Sequence, residues 1–205
     1  MRVPRTATAV ILLLAAAPGV LAMNNYDDPR MILSYMDKSL PGARDILRVT
    51  TSISNDDELI FRVKTRAEAK KATSGDYLLL QVRQSRSHQF LVPIGPEFGD
   101  SVLAYQEDPL APGDSPDLQP GNSLSSSGAS ALNARRIANG VEFVVPLTWL
   151  DFSEKIGFDA YAVRGQASAD NFLISEVYDR AAKGMKRDRM ISPITLLNNL
   201  CATRR

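Results

Sequence analysis

Cysteine is nearly absent from this 205-residue chain: Cys201 stands alone. One cysteine closes no internal disulfide and excludes every multi-cysteine metal cluster. Stability must come from packing, and Cys201 is expected to be buried as a small hydrophobe or, alternatively, to be free to pair between chains. Histidine is equally scarce, with His88 the single one. Any histidine-activated nucleophile would have to use it. His88 lies between "RQSRS" and "QFLVPIG", at a turn or strand start, and no G-x-S-x-G elbow accompanies it. No glycine-rich phosphate loop, dinucleotide fingerprint or internal repeat occurs. Asp151, Glu154 and Asp159 are close in sequence, but glycoside cleavage depends on a separation in space that spacing does not fix. These absences argue against an enzyme. They leave no catalytic candidate and no implied cofactor, with calcium or haem unsupported by any motif.

What is present begins with a targeting pattern. Arg2 and Arg5 precede the apolar run "AVILLLAAAPGVLA", which ends in small residues. The run is short for a membrane span and ends like a cleavage site at Ala22. Residues 1–22 therefore read as a signal peptide. The mature chain is expected to be periplasmic or secreted from a bacterium, and not membrane-spanning after cleavage. Its charge is uneven. Residues 23–178 carry 15 Lys/Arg and 21 Asp/Glu, a net of −6, whereas residues 179–205 carry 7 and 2, a net of +5. An acidic body without a recognised reading helix excludes nucleic acid. The basic tail suits a solvated surface or an acidic partner.

Strand patterning dominates the body. Residues 45–54 alternate with Leu47, Val49, Thr51 and Ile53 on one face, and residues 59–66 with Leu59, Phe61 and Val63. Between them, "SNDDE" falls where a hairpin must turn. Its adjacent acids diverge and lack the glycine of a calcium loop, so a turn is predicted rather than a metal site. Further strands are predicted over 75–85, 88–95, 101–107, 140–150 and 157–168, with Pro93 and Pro146 marking strand ends, edges or bulges. Helical periodicity before residue 170 is confined to "DPRMILSYMDKSL" and "RAEAKKA". The fold class is mainly β: an antiparallel β-sandwich over 23–170 with a short helical C-terminal appendage over 171–205.

Residues 108–133, rich in Pro, Gly and Ser, read as a long flexible loop. Beyond 170, "SEVYDRAAKG" (175–184) reads as a helix with Ser175 as N-cap and Gly184 as stop. "SPITLLNNLCA" (192–202) reads as another, with Pro193 at its first position. Ile194, Leu197, Leu200 and Cys201 would then share one face. That face is expected to pack on the sandwich. The alternative is that Leu197 and Leu200, with Lys186, Arg187 and Arg189, dock an envelope protein partner.

Aromatics supply the remaining candidates. Trp149 is the only tryptophan, and Tyr77, Tyr105 and Tyr161 lie in predicted strands. A flat ring beside hydrogen-bonding groups suits the apolar face of a sugar. Trp149, Tyr105 and Tyr161 are thus the candidate ligand contacts, although a lone tryptophan after a strand also suits a core.

The stretches "DILRVTTSISNDDELIFRVKT", "GDYLLLQV" and "NGVEFVVPLTWLDFSEKIGFDAYAVRG" resemble carbohydrate-binding module family 9-like and DOMON-like β-sandwich domains over residues 45–165. The resemblance implies a sandwich fold and extracellular saccharide recognition. In some relatives it implies calcium, and in DOMON-like ones haem or sugar. Family 9 modules clamp a sugar between two tryptophans, whereas this chain has Trp149 alone. Haem-binding relatives use Met and His, and here His88 is present with Met31, Met36, Met185 and Met190, with no motif that pairs them. The function expected is non-catalytic carbohydrate binding at the cell envelope. The alternatives are a periplasmic assembly factor that docks by its C-terminus, or a haem-binding domain.

Overall fold

The computed structural model describes residues 28, 30–71, 74–95, 102–107, 118, 120–121, 123–126, 133–168, 170–181 and 190–202. The predicted signal peptide and Lys186, Arg187 and Arg189 lie outside them. The strands are β1 (Met31–Leu33), β2 (Ile46–Ile53), β3 (Glu58–Thr65), β4 (Asp76–Arg83), β5 (Ser87–Pro93), β6 (Leu103–Glu107), β7 (Ser123–Ser126), β8 (Asn133–Ile137), β9 (Gly140–Pro146), β10 (Gly157–Ala167) and β11 (Asn171–Arg180). A helix, α1 (Pro193–Ala202), follows, and 3₁₀ turns occupy Gly42–Arg44 and Leu147–Trp149. Among the described residues no helix is long and apolar enough to cross a membrane.

The fold is mainly β, with two packed antiparallel sheets and one short C-terminal helix, as the alternation predicts. One sheet is five-stranded in the order β1-β2-β3-β9-β8. The other departs from a simple sandwich layer. It runs β10-β11-β7-β6-β5-β4 and closes on itself as β4 pairs with β10. The contiguous apolar run Leu78-Leu79-Leu80 carries the reason. Strands buried on one face alternate, while strands buried on both read as continuous apolar runs. Leu78, Leu80 and Val82 face the five-stranded sheet, with Phe61, Phe143 and Val145 among their core partners. Leu79 faces the barrel interior with Leu91, Tyr161, Val163, Phe172 and Ile174.

Glycine is required where backbones approach closely. A Cβ on Gly140 would lie 2.0 Å from the Val63 carbonyl oxygen, and φ there is +156°. Asn139 takes the left-handed conformation (φ 54°) that closes the tight β8–β9 turn. A Cβ on Gly165 would lie 2.4 Å from the Phe172 ring, so that ring fills the barrel beside β10.

Several expectations are corrected. "DPRMILSYMDKSL" contributes β1, a strand registered against β2, and "RAEAKKA" forms bends rather than a helix in its described part. Residues 175–180 belong to β11, not a helix, and Glu176–Arg180 pair with Tyr161–Arg164 of β10 across a register shift between Ala162 and Val163. Local helix signals there yield to sheet pairing, because Ile174 and Phe172 gain a buried barrel face. Of the expected flexible loop, 108–133, the described residues include β7 and two buried leucines, Leu118 and Leu124, while 108–117, 119, 122 and 127–132 lie outside the described ones.

The helix over 193–202 forms with Pro193 in its first position, and the Leu196 amide donates to the Ser192 carbonyl. Its buried face is rotated from the expected one. Leu196 and Leu200 are buried in the sandwich core, whereas Ile194 is 55% exposed. Cys201 is exposed rather than buried. The docked face follows the i, i+4 pair Leu196/Leu200, which outweighs the stripe through Ile194.

Candidate functional site

The only tryptophan and the only histidine meet. Pro146 cannot continue the β9 ladder, and the chain turns there into the 3₁₀ segment that carries Trp149. On β5, His88 shares its face with Phe90, which packs into the sandwich core. The Trp149 ring lies 5.9 Å from His88 and 6.2 Å from Phe90, tilted by 55° to each. His88 stacks parallel to Phe90 at 6.4 Å. Trp149 is partly exposed and packs against the core along its other side.

His88 thus lies at the start of a strand, one of the two placements its sequence neighbours suggest, and is partly buried there. Its alternation with Phe90 and Val92 was the available signal. Burial first, and the Arg86 charge second, hold its imidazolium below the ordinary range. Its Nδ1 is buried without a hydrogen-bond partner among the described residues.

The loops beside Trp149 are fixed to each other. Gln84 Nε2 donates to the Asp151 carbonyl (2.7 Å) and the Asp151 amide donates to Gln84 Oε1 (3.0 Å). The Ser85 amide donates to Glu154 Oε2 (2.6 Å). Phe152, just past Trp149, is 43% exposed. Asp151, Glu154 and Asp159 do not form a shared site. The first two hold this surface junction, while Asp159 points into the barrel.

Tyr105 and Tyr161 do not join Trp149. They are 3% and 1% exposed and face the barrel interior, because odd positions of β6 and β10 point inward. Tyr105 packs on Phe172 at 5.8 Å. Burial and the Asp159 charge push the Tyr161 hydroxyl up. Neither ring offers a face to an external ligand. As contacts they are corrected by the barrel's closure, which gives these strands a second buried side.

One end of that interior is polar. Gln81, Arg83, Ser87, Gln89 and Asp159 are all buried. Arg83 Nη2 donates to Asp159 Oδ2 at 3.0 Å. Burial pushes the Asp159 carboxyl up, against the pull of Arg83 and Arg180. Buried ion pairs of this kind seldom add net stability, since desolvation offsets their attraction.

The acidic turn is a turn. Ser54 Oγ accepts from the Asp56 and Glu58 amides at 3.1 and 3.2 Å, and Asp57 is left-handed at φ 55°. Among the described residues no group of three His, Cys, Asp or Glu is placed to hold a metal ion.

Leu200, a candidate partner contact, is 5% exposed, and Leu197 is partly buried. The helix meets β2, so it packs on the sandwich as expected, and the face that the alternative reading would offer to a partner is largely occupied by the protein's own body. No protein-family model matches the chain, and neither the curated proteins nor the solved structures give a match.

Proposed function

We propose that the protein is a non-catalytic, exported β-sandwich that binds a saccharide at Trp149. The observation that supports this is the meeting of Trp149 and His88 at a partly open edge. A sugar presents an apolar face and a girdle of hydroxyls. A ring supplies apolar area at little entropic cost, and polar neighbours set the orientation. Trp149 supplies the ring, and Gln84, Arg86 and Glu154 supply polar groups on the adjoining loops. The resemblance to carbohydrate-binding module family 9-like and DOMON-like domains and the N-terminal targeting pattern point the same way.

The other two expectations draw less support. Docking of an envelope partner through Leu200 would require the helix to leave the body. A haem reading would place His88 beside a methionine, whereas its ring neighbours are Phe90 and Trp149. Titration with haem, followed at the Soret band, tests that reading directly.

A glycan array probed with residues 23–205, with and without calcium, tests the saccharide reading. Specific binding that is lost in Trp149→Ala, with the fold retained, is the expected result. A blank array from folded protein would overturn it.

A further inference from the structure

The outer face of the five-stranded sheet carries a lopsided set of charges. Residues paired across strands share a face. The register therefore sets Arg48 opposite Lys64 in one row, and Thr50, Arg62, Glu142 and Arg135 across the next. Strands lie about 4.8 Å apart and such rows about 7 Å apart. The four cations thus fall within one patch about 15 Å across, from β2 to β8.

One carboxylate serves these two rows. Glu142 accepts from Arg62 Nε at 2.7 Å and from Arg135 Nε at 2.9 Å, and the two arginines leave it only 2% exposed. Their own side chains stay open to solvent, at 42% and 70%. Arg48 is exposed and makes no hydrogen bond or ion pair among the described residues. Lys64 Nζ donates to the Ala138 carbonyl, which fixes the ammonium and leaves its charge unmatched. Nearby acids are engaged elsewhere. Glu58 accepts from Ser54 Oγ at 3.3 Å in the turn at the far end of β3, and Glu68 lines the space between the sheets beside Leu78 and Ile94. In these rows, then, four cations meet one carboxylate. The excess is local, because the chain as a whole has 24 Lys/Arg against 23 Asp/Glu. It also works against the sheet, since like charges directly opposite each other, as Arg48 and Lys64 are, destabilise a strand pair. An anion from outside would relieve that repulsion.

The spread of the cations selects the kind of anion. A small ion reaches one or two of them. A chain of regularly spaced anions reaches all, and each contact after the first is made by a tethered group. Thr50, Ser52 and Asn133, on the same face, offer hydroxyl and amide groups to a hydroxylated chain. No aromatic ring stands there for a base to stack on. Among the described residues, the large exposed apolar side chains, Phe152 and Leu173 included, belong to none of these five strands, so the face lacks the apolar groups that enter a bilayer. The N-terminal targeting pattern also favours an extracellular polymer over nucleic acid.

We propose that this outer face binds an acidic polysaccharide, whose carboxylate or sulfate groups are held by Arg48, Arg62, Lys64 and Arg135. Trp149 packs against the core on the other side of the sheet, and the proposal does not rest on the saccharide reading made there.

Polygalacturonate, with a carboxylate on every sugar, and its methyl ester, with none, test this on the full chain. The expected result is saturable binding of the acidic polymer, weakened by added salt, and no binding of the ester. Arg48→Gln combined with Lys64→Gln should weaken binding at least roughly tenfold. The urea midpoint of that variant should match or exceed the wild type, because the substitutions remove an opposed like-charged pair. Arg48→Gln alone, at an exposed side chain, should cost about threefold and serves if the double variant does not fold. Lys155→Gln, an exposed cation outside this sheet, and Trp149→Ala should both bind as the wild type does. No binding by folded protein, equal binding of polymer and ester, or undiminished binding in the folded double variant would each overturn the proposal. So would loss of binding in Lys155→Gln or Trp149→Ala. Capture of phosphatidylglycerol vesicles or duplex DNA in place of the polymer would overturn it by assigning the face to another polyanion.

Discussion

β10 faces two interiors that differ in kind. Phe158, Ala160 and Ala162 point toward the five-stranded sheet, into a largely apolar core that is crossed by one buried carboxylate, Asp179 Oδ2, which accepts from the Ile46 amide at 2.7 Å. Asp159, Tyr161 and Val163 point into the barrel, where a carboxylate, a hydroxyl and an arginine share space with Phe172 and Leu79. The same strand, read at alternate residues, thus separates a mostly apolar packing layer from a more polar one. A sheet packed on another sheet can be sealed by apolar side chains alone. A small closed barrel must also end somewhere, and here one end is filled by polar groups, among them the Arg83–Asp159 pair at 3.0 Å and Gln89 Nε2, which donates to Ser87 Oγ at 3.1 Å.

The largest expected effect comes from the polar side. Arg83 and Asp159 are both nearly inaccessible, 8% and 6% by side chain. Arg83→Met leaves the carboxylate without its nearest partner and should cost about 3–5 kcal/mol in urea unfolding. The double variant Arg83→Met, Asp159→Leu should recover part of that loss, since a missing pair is cheaper than a stranded charge. A single variant as stable as wild type would mean that water reaches the barrel end.

The next effect compares the two apolar faces at adjacent positions. Leu80 serves the sandwich and Leu79 the barrel, and both are fully buried. Leu→Ala at either should cost about 2–5 kcal/mol, with the spread set by how far each site collapses. A near-zero cost at Leu79 alone would show that the barrel interior is loosely filled.

A smaller effect separates two arginine-bound carboxylates by the sign of their pH dependence. Glu142, on the outer face of the five-stranded sheet, accepts from Arg62 Nε (2.7 Å) and Arg135 Nε (2.9 Å). Burial raises its carboxyl, but the two arginines together hold it below its usual range. Asp159 moves the other way, because burial outweighs its arginines. A depressed carboxylate stabilises the fold above its unfolded pKa and loses that contribution as pH falls through the folded one. A raised one stabilises below the unfolded pKa and loses that contribution as pH climbs toward the folded one. The wild-type advantage over Glu142→Gln should therefore shrink below about pH 4, and that over Asp159→Asn should shrink above about pH 4. Urea midpoints between pH 3 and 7 measure both, and parallel slopes would contradict the contrast.

The sandwich was legible in the sequence because its strands are one-sided where they face solvent: Leu59, Phe61 and Val63 alternate with Ile60, Arg62 and Lys64, and β3 forms there. The barrel was not legible. Its closure depends on β7, four residues of Ser and Leu in a segment rich in Pro and Gly, and on β11, whose local pattern near Ser175 suits a helix. Long-range pairing with β10 decides both, and short-range periodicity does not report it. The doubly buried run Leu78-Leu79-Leu80 was the one available signal. At the candidate site, Trp149 was found from its rarity. His88 was missed as its neighbour, because 61 residues of chain separate two rings that only sheet packing brings together.

The smallest expected effect tests the turn that joins β2 to β3, far from either interior. Asp57 is left-handed, and its carbonyl accepts from the Leu147 amide at 3.2 Å, which ties the turn to the segment carrying Trp149. Glycine adopts that conformation freely but adds entropy to the unfolded chain, so Asp57→Gly should lie within about 0.5 kcal/mol of wild type. A β-branched side chain resists it, and Asp57→Val should cost about 1–2 kcal/mol. If the turn depends on backbone geometry rather than on a bound ion, millimolar calcium should leave the Tm of the wild type and both variants unchanged. A calcium-dependent rise in Tm, lost in Asp57→Gly, would instead make the acids of this turn ligands.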